Sequence, residues 1–301
     1  MQPNPILRQL GFSEKDRVLI IHADDIGMCQ AGVAAMEGLM NAGIVSSMAA
    51  MTVCPWFPAA AAFARAHPGI DLGLHFTLTS EWDAYRWGPL STRDPASGLI
   101  DANGYFYAQS EPPQKNGKAA AAQAELRAQI RHAQSAGIDL THVDSHMLTA
   151  WHPKFLPAYL QLPEQCGLPS FFMRTDKAAA IAAGRDEKSA AFFARWSAAL
   201  EKRGMPLFDN FFVMPLENAD DRIGAAQRAM AALPPGLTYF ILHPAVDSPE
   251  LRAIAPDWRS RVADYQAFTS SALRNFIKRS GIQVIGWRTL RDGMRKKTGR
   301  R

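Results

Sequence analysis

Eight short apolar runs, each followed by a stretch of helical period or composition, constrain this chain most. The runs are Arg17–His22, Val45–Val53, Ile70–Phe76, Leu140–Ser145, Ser170–Arg174, Asn210–Met214, Thr238–His243 and Gln283–Trp287. The intervening stretches are Gln30–Asn41, Pro58–Ala66, Ala119–Ala136, Pro153–Gln165, Lys188–Lys202, Asp220–Ala232 and Arg259–Arg279. Alanine-rich segments such as AAAAQAELRAQIRHAQSAG favour helix because alanine gives up no side-chain entropy. Gly43, Gly137, Gly167, Gly204 and Gly281 each follow a predicted helix, where a left-handed cap suits glycine. Strand–helix alternation of this kind predicts an α/β fold with about seven or eight mostly parallel strands. At 301 residues the expectation is an irregular, TIM-like (β/α) barrel, with an open doubly wound sheet as the rival.

The polar residues favour the barrel. His22, Asp24, Asp25, His75, Asp144, His146, Arg174 and His243 all stand at or just past the C-terminal ends of predicted strands. A barrel gathers those ends on one face, where substrates bind, whereas an open sheet spreads them along a crevice. The first run, RVLIIHADDI, ends in two adjacent carboxylates, which repel each other once they lose hydration. A cation or a shared proton relieves that repulsion; a solvated turn or helix cap is the plainer reading. IDLGLHF carries His75, and LTHVDSH carries His142, Asp144 and His146. Asp25, His75 and His146 together offer one oxygen and two imidazole ligands, a three-ligand set that leaves room for water. HADDIG lacks the closely spaced glycines of a dinucleotide fingerprint.

Charge and cysteine usage exclude several classes. The net charge of +5 equals that of Arg291–Arg301 alone, which holds six basic residues and one acid, so the rest of the chain is balanced. The expected division is one catalytic domain over 1–290 and a disordered basic tail over 291–301, with no nucleic-acid partner. No apolar stretch reaches the roughly 18 residues of a membrane span. The first residues, MQPNPILRQLGFSEKD, lack the basic-then-apolar order of a secretory signal. Cys29, Cys54 and Cys166 are odd in number and without metal-site spacing, which places them as free thiols in the cytoplasm.

Residues 79–118 are too long for a plain connection and hold Trp82, Tyr85, Trp87, Tyr105, Phe106 and Tyr107. An insertion over the active face, with Trp82, Tyr85 and Trp87 stacking on sugar rings, is one reading. A small hydrophobic cluster of its own is the other.

Five motifs carry a family resemblance. IIHADDIG, GIVSSMAAMTV, LGLHFTLT, THVDSHM and FILHPA occur in the order seen in YdjC-like proteins, the ChbG/HpnK group of carbohydrate deacetylases related to polysaccharide deacetylases. The resemblance spans about residues 17–287. It implies an irregular (β/α) barrel and removal of an acetyl group from an N-acetylated amino sugar with the help of one divalent ion, Zn or Mg. It also implies Asp25, His75 and His146 as ligands, Asp24 as catalytic base and His243 as acid or oxyanion partner. His22 and Asp144 are expected to support the ligands, with Asp144 orienting a histidine or holding Arg174. Chitooligosaccharide deacetylases continue after DSH with further histidines; this chain reads DSHMLTAWHP, so its substrate-facing rim differs. The expected partner is a small carbohydrate, with a homodimer left open. Another metal-dependent amidohydrolase or phosphoesterase, and a non-catalytic sugar-binding protein, are the competing functions.

Overall fold

The computed structural model describes residues 2–298. Seven strands form its sheet: β1 (Arg17–Ile26), β2 (Ser47–Ala50), β3 (Leu72–Phe76), β4 (Val143–Ser145), β5 (Asn210–Val213), β6 (Gly236–Leu242) and β7 (Gln283–Val284). All pairings are parallel, in the order β4-β3-β2-β1-β6-β5, with β7 on β1. β1 is the spine. Apart from Arg17 its residues are buried, as expected of a parallel strand covered on both faces.

The predicted strand Ser170–Arg174 does not form as a regular element. It contributes only the isolated bridges Val143↔Ser170 and Met173↔Phe208. These link the β4 and β5 sides, so the sheet curls into an irregular barrel whose gap is closed by single bridges.

The predicted helices form with small shifts, and one of them divides. The stretch 259–279 becomes Trp258–Phe268 and Ser271–Arg279, because the Ser270 side chain accepts from the Leu273 N–H and starts a new helix. The five cap glycines all take positive φ. Gly73 is required for a different reason. A β-carbon there would meet the His142 ring at 2.3 Å, and His142 lies flat on Trp287 with ring centroids 4.7 Å apart. Trp287, assigned to a strand from sequence, instead begins the helix Trp287–Thr298.

That helix corrects the expected tail. Residues 291–298 are helical, and Arg291, 4% exposed, donates to Asp139 at 2.7 Å and to the Leu140 carbonyl at 2.8 Å. Residues 299–301 of the expected tail lie outside the described residues. The insertion 79–118 is pinned to the helix Ala119–Ser135, whose buried Glu125 accepts from the backbone N–H groups of Leu90 and Ser91. No helix among the described residues is long and apolar enough to cross a membrane.

Candidate metal and active centre

Adjacent residues on a regular strand point to opposite faces. Asp24 and Asp25 nevertheless share one cavity, because the pairing of β1 with β2 shifts register between Ala23 and Ile26 and Asp25 takes φ +64°. A left-handed conformation at a non-glycine residue costs on the order of 1–3 kcal/mol, and such strain collects at functional sites.

Asp25, His75 and His146 converge. Asp25 Oδ1 is 3.4 Å from His75 Nε2 and 3.2 Å from His146 Nδ1, and the two nitrogens are 3.3 Å apart. The outward nitrogens of both rings face carboxylates: His75 Nδ1 meets Asp144 Oδ1 at 2.6 Å and His146 Nε2 meets Glu81 Oε2 at 2.9 Å. When both rings are neutral with the proton on the outward nitrogen, two nitrogen lone pairs and a carboxylate oxygen point at one another. Asp25 Oδ1 is buried without a hydrogen-bond partner. Such an arrangement suits a cation. An ion about 2.0–2.1 Å from each donor separates them by roughly 3.3–3.4 Å if tetrahedral and roughly 2.9 Å if octahedral. The three residues therefore fit one ion, with the tetrahedral spacing the closer match. Carboxylate–histidine–metal relays of this type fix the ring orientation.

Electrostatics show how tightly the groups depend on one another. Burial opposes charging of His75, but Asp24 and Asp144 outweigh it and hold its pKa well above the ordinary value. Burial likewise opposes charging of His146, yet Glu81 and Asp25 raise it to about 9. Asp144 is held well below the usual carboxylate range against its own burial, by His75 and His22. It also accepts from the Tyr239 hydroxyl at 2.7 Å. His22 Nε2 lies between Asp24 Oδ1 at 3.0 Å and Asp144 Oδ2 at 3.1 Å, and its Nδ1 meets Ser47 Oγ at 2.9 Å. His22 thus lies beside Asp24 and Asp144, and Asp144 contacts His75.

Asp24 and His243 face each other across the cavity, Asp24 Oδ2 to His243 Nε2 at 3.7 Å. His243 Nδ1 is buried and unpartnered, and the His243 backbone N–H donates to Asp264. Asp264 is in turn bound to Arg222 at 2.6 Å.

This constellation, on the C-terminal ends of β1, β3, β4 and β6, lies within the span that a family model matches. That model, YdjC-like protein, matches residues 18–279. The chain belongs to the YdjC-like family. Among curated relatives of this YdjC-like chain, a carbohydrate deacetylase of Thermus thermophilus is 30% identical over 96% of this chain and 99% of its own length. A carbohydrate deacetylase of Thermoanaerobacter pseudethanolicus is 24% identical over 91% of this chain and 100% of its own. A crystal structure from Enterococcus faecalis, provisionally described as a cellobiose-phosphate cleavage protein, superposes with a TM-score of 0.73 at 21% identity, covering 91% of this chain and 99% of that one. At that identity it supports the fold.

Two sequence expectations fail on placement. Arg174 sits at the opposite end of the barrel, donating to Glu201 at 2.6 Å and lying 3.8 Å from Asp209, because its segment never joins the sheet as a strand and so never climbs to the C-terminal face. Trp87 is buried, its indole N–H bound to the Thr79 carbonyl, and cannot stack on a ligand. It forms a cluster with Trp82 and Tyr85, as the plainer reading of the insertion had it. Tyr85 spends its hydroxyl on the Met28 carbonyl, while Trp82 does line the cavity. His142 is a core residue stacked on Trp287. Sequence reasoning missed Glu81, Asp257 and Arg261. Glu81 stands six residues past His75 within the insertion, a signal that was available. Arg261 reaches Asp25 Oδ2 at 2.8 Å across 236 residues of sequence, for which no local signal exists.

Proposed function

We propose that this protein is a metal-dependent carbohydrate deacetylase acting on an N-acetylated amino sugar or short oligosaccharide. The observation that carries this reading is the inward-facing triad of Asp25 Oδ1, His75 Nε2 and His146 Nδ1 beside Asp24 and His243, all on one cavity of about 270 Å³. The curated relatives' names support the sugar deacetylase class.

In this reading Asp25, His75 and His146 hold a divalent ion, which when bound polarises the amide carbonyl and acidifies water. Asp24 takes the proton of the attacking water, and His22 steadies the Asp24 carboxylate at Oδ1. Water supplies the hydroxyl that joins the acetyl carbon, the C–N bond breaks, and His243 protonates the departing nitrogen. Protonation is needed because an amine anion is a very poor leaving group. Asp264 fixes the backbone of His243 so that its ring stays opposite Asp24. The donor set and its spacing suit Zn²⁺ better than Mg²⁺, which prefers oxygen shells.

The insertion supports a short substrate, since it delivers Glu81 and Trp82 to the cavity lining. Three cysteines outside any disulfide support a reducing, cytoplasmic setting. Acetate release from N-acetylglucosamine and its short oligomers, assayed with Zn²⁺, Mg²⁺ and other divalent ions, tests the reading. Release that depends on a divalent ion is the expected result. Sugar binding without acetate release under every metal would favour a non-catalytic sugar-binding protein.

A further inference from the structure

Which sugars the cavity admits follows from how its charges are used, and this inference rests on the deacetylase reading. Four carboxylates line the cavity, those of Asp24, Asp25, Glu81 and Asp257, together with a single guanidinium, Arg261. The carboxylates and the guanidinium alone sum to a formal −3.

The guanidinium is already committed. Arg261 Nη1 donates to Asp25 Oδ2 at 2.8 Å and Nε donates to Asp257 Oδ1 at 2.9 Å. A guanidinium grips an anion by two adjacent N–H groups, along the Nε–Nη2 edge or the Nη1–Nη2 edge. One nitrogen on each edge already donates to a carboxylate, so an added anion meets competition at either edge. The ring of Trp82 lies 5.3 Å from the guanidinium carbon and occupies one of its faces.

Asp257 is placed to do something other than support the backbone. It occupies the N-cap of the helix Trp258–Phe268 but makes no side-chain cap bond, although aspartate is among the best residues for that purpose. Its side chain turns to Arg261 instead. One oxygen is held there, and Oδ2 carries no hydrogen bond among the described residues. Met147, Leu148, Val213, Leu216 and Ile241 add an apolar part to the lining. A lining with acceptor oxygens in one part and hydrocarbon in another matches a neutral pyranose, which has hydroxyls at its edge and C–H groups on its face.

We propose that the cavity selects neutral N-acetylated pyranosides and rejects phosphorylated or carboxylated ones, with Asp257, held by Arg261, accepting a hydrogen bond from a sugar hydroxyl. Discrimination arises from repulsion of the wrong ligand as well as attraction of the right one.

The test uses the metal-loaded protein and matched pairs, N-acetylglucosamine and its dimer against the same sugars carrying a 6-phosphate. Acetate release should favour the neutral member by about 100-fold or more in kcat/KM. Asp257→Asn should raise KM for the neutral sugar about tenfold with kcat within about threefold and metal content unchanged. Its preference for the neutral sugar should also shrink. Calorimetric binding of both members to metal-loaded Asp24→Asn, which lacks the base and turns over slowly, reads the same selection by affinity. Equal or tighter use or binding of the phosphorylated sugar would overturn the proposal, as would an unchanged KM in Asp257→Asn. Failure to release acetate from any sugar, with neutral-over-phosphorylated binding intact, would strike the deacetylase reading and leave the selection standing.

Discussion

The two ends of the barrel use charge in opposite ways. At the N-terminal end the arginines face carboxylates directly: Arg174 meets Glu201, Arg288 meets Asp139 at 2.6 Å, and Arg291 meets both Asp139 and Asp292. At the C-terminal end four carboxylates line one cavity with a single guanidinium, which pairs with Asp25 and Asp257 while Asp24 and Glu81 face histidines, and buried atoms of Asp24, Asp25 and His243 are left without hydrogen bonds. A buried charge without a partner is costly, so a fold retains it only where something else supplies the balance. At the N-terminal end Arg288 Nε is also buried without a hydrogen bond, but each of these arginines has a carboxylate partner. In the proposed reading the C-terminal end is completed from outside, by a cation and a substrate.

This division can be broken most directly at the ligands. His75→Ala should lose its metal and at least about a thousandfold in activity, read by metal analysis and acetate release on one preparation. Arg174→Met, at the other end, should leave kcat/KM within about twofold. Comparable losses in both would erase the distinction.

Asp24→Asn sharpens it further. Metal should stay bound while kcat falls about 10²–10⁴-fold, the usual range for a lost general base. Unimpaired turnover would remove Asp24 from the chemistry, and loss of metal would make it a ligand.

In the proposed reading protons compete with the cation at the C-terminal end. The pKa of His146 is raised to about 9, above its unfolded value. The stability it gives the metal-free protein is therefore full below the ordinary histidine pKa and is lost as pH rises through about 9. Metal needs the neutral ring. Affinity should climb with pH up to about 9, by about tenfold per pH unit for the His146 proton and more steeply where His75, also raised, gives up its own, with protons released on binding, measurable by titration calorimetry in buffers of different ionisation enthalpy. A flat profile would mean that Glu81 and Asp25 do not hold a proton on His146.

Chelation should lower stability by about 2.7 kcal/mol relative to protein held at a metal concentration one hundred times Kd, and thermal denaturation reads this. Asp139→Asn should give the smallest change, about 1 kcal/mol, because Asp139 is largely exposed and its pairs are screened. Activity should be unchanged.

Much of the C-terminal end was legible because its chemistry sits where short apolar runs stop. Strand hydrophobicity located β1, β3, β4 and β6, and the residues ending them, Asp24, Asp25, His75, His146 and His243, meet in the structure. The same logic failed for Arg174, since its run is apolar enough for a strand but makes only isolated bridges. It failed for Trp87, since composition marks aromatic residues without saying whether the ring faces a ligand or a neighbouring tryptophan. The basic C-terminus read as a tail because charge density does not reveal that Arg291 docks on Asp139.

What the sequence by itself determined is what depends on neighbouring residues: the alternation of strand and helix, the glycine caps, and the ligand types at each strand end. Local backbone and burial preferences act within a few residues, so they can be read in order along the chain. The tertiary structure alone decided that Glu81 orients His146, that Arg261 and Asp257 set the charge beside Asp25, and that a register shift with left-handed φ turns both adjacent aspartates inward. Those outcomes depend on contacts between residues far apart in the chain, up to 236 positions for Asp25 and Arg261, and such contacts exist only once the barrel has closed.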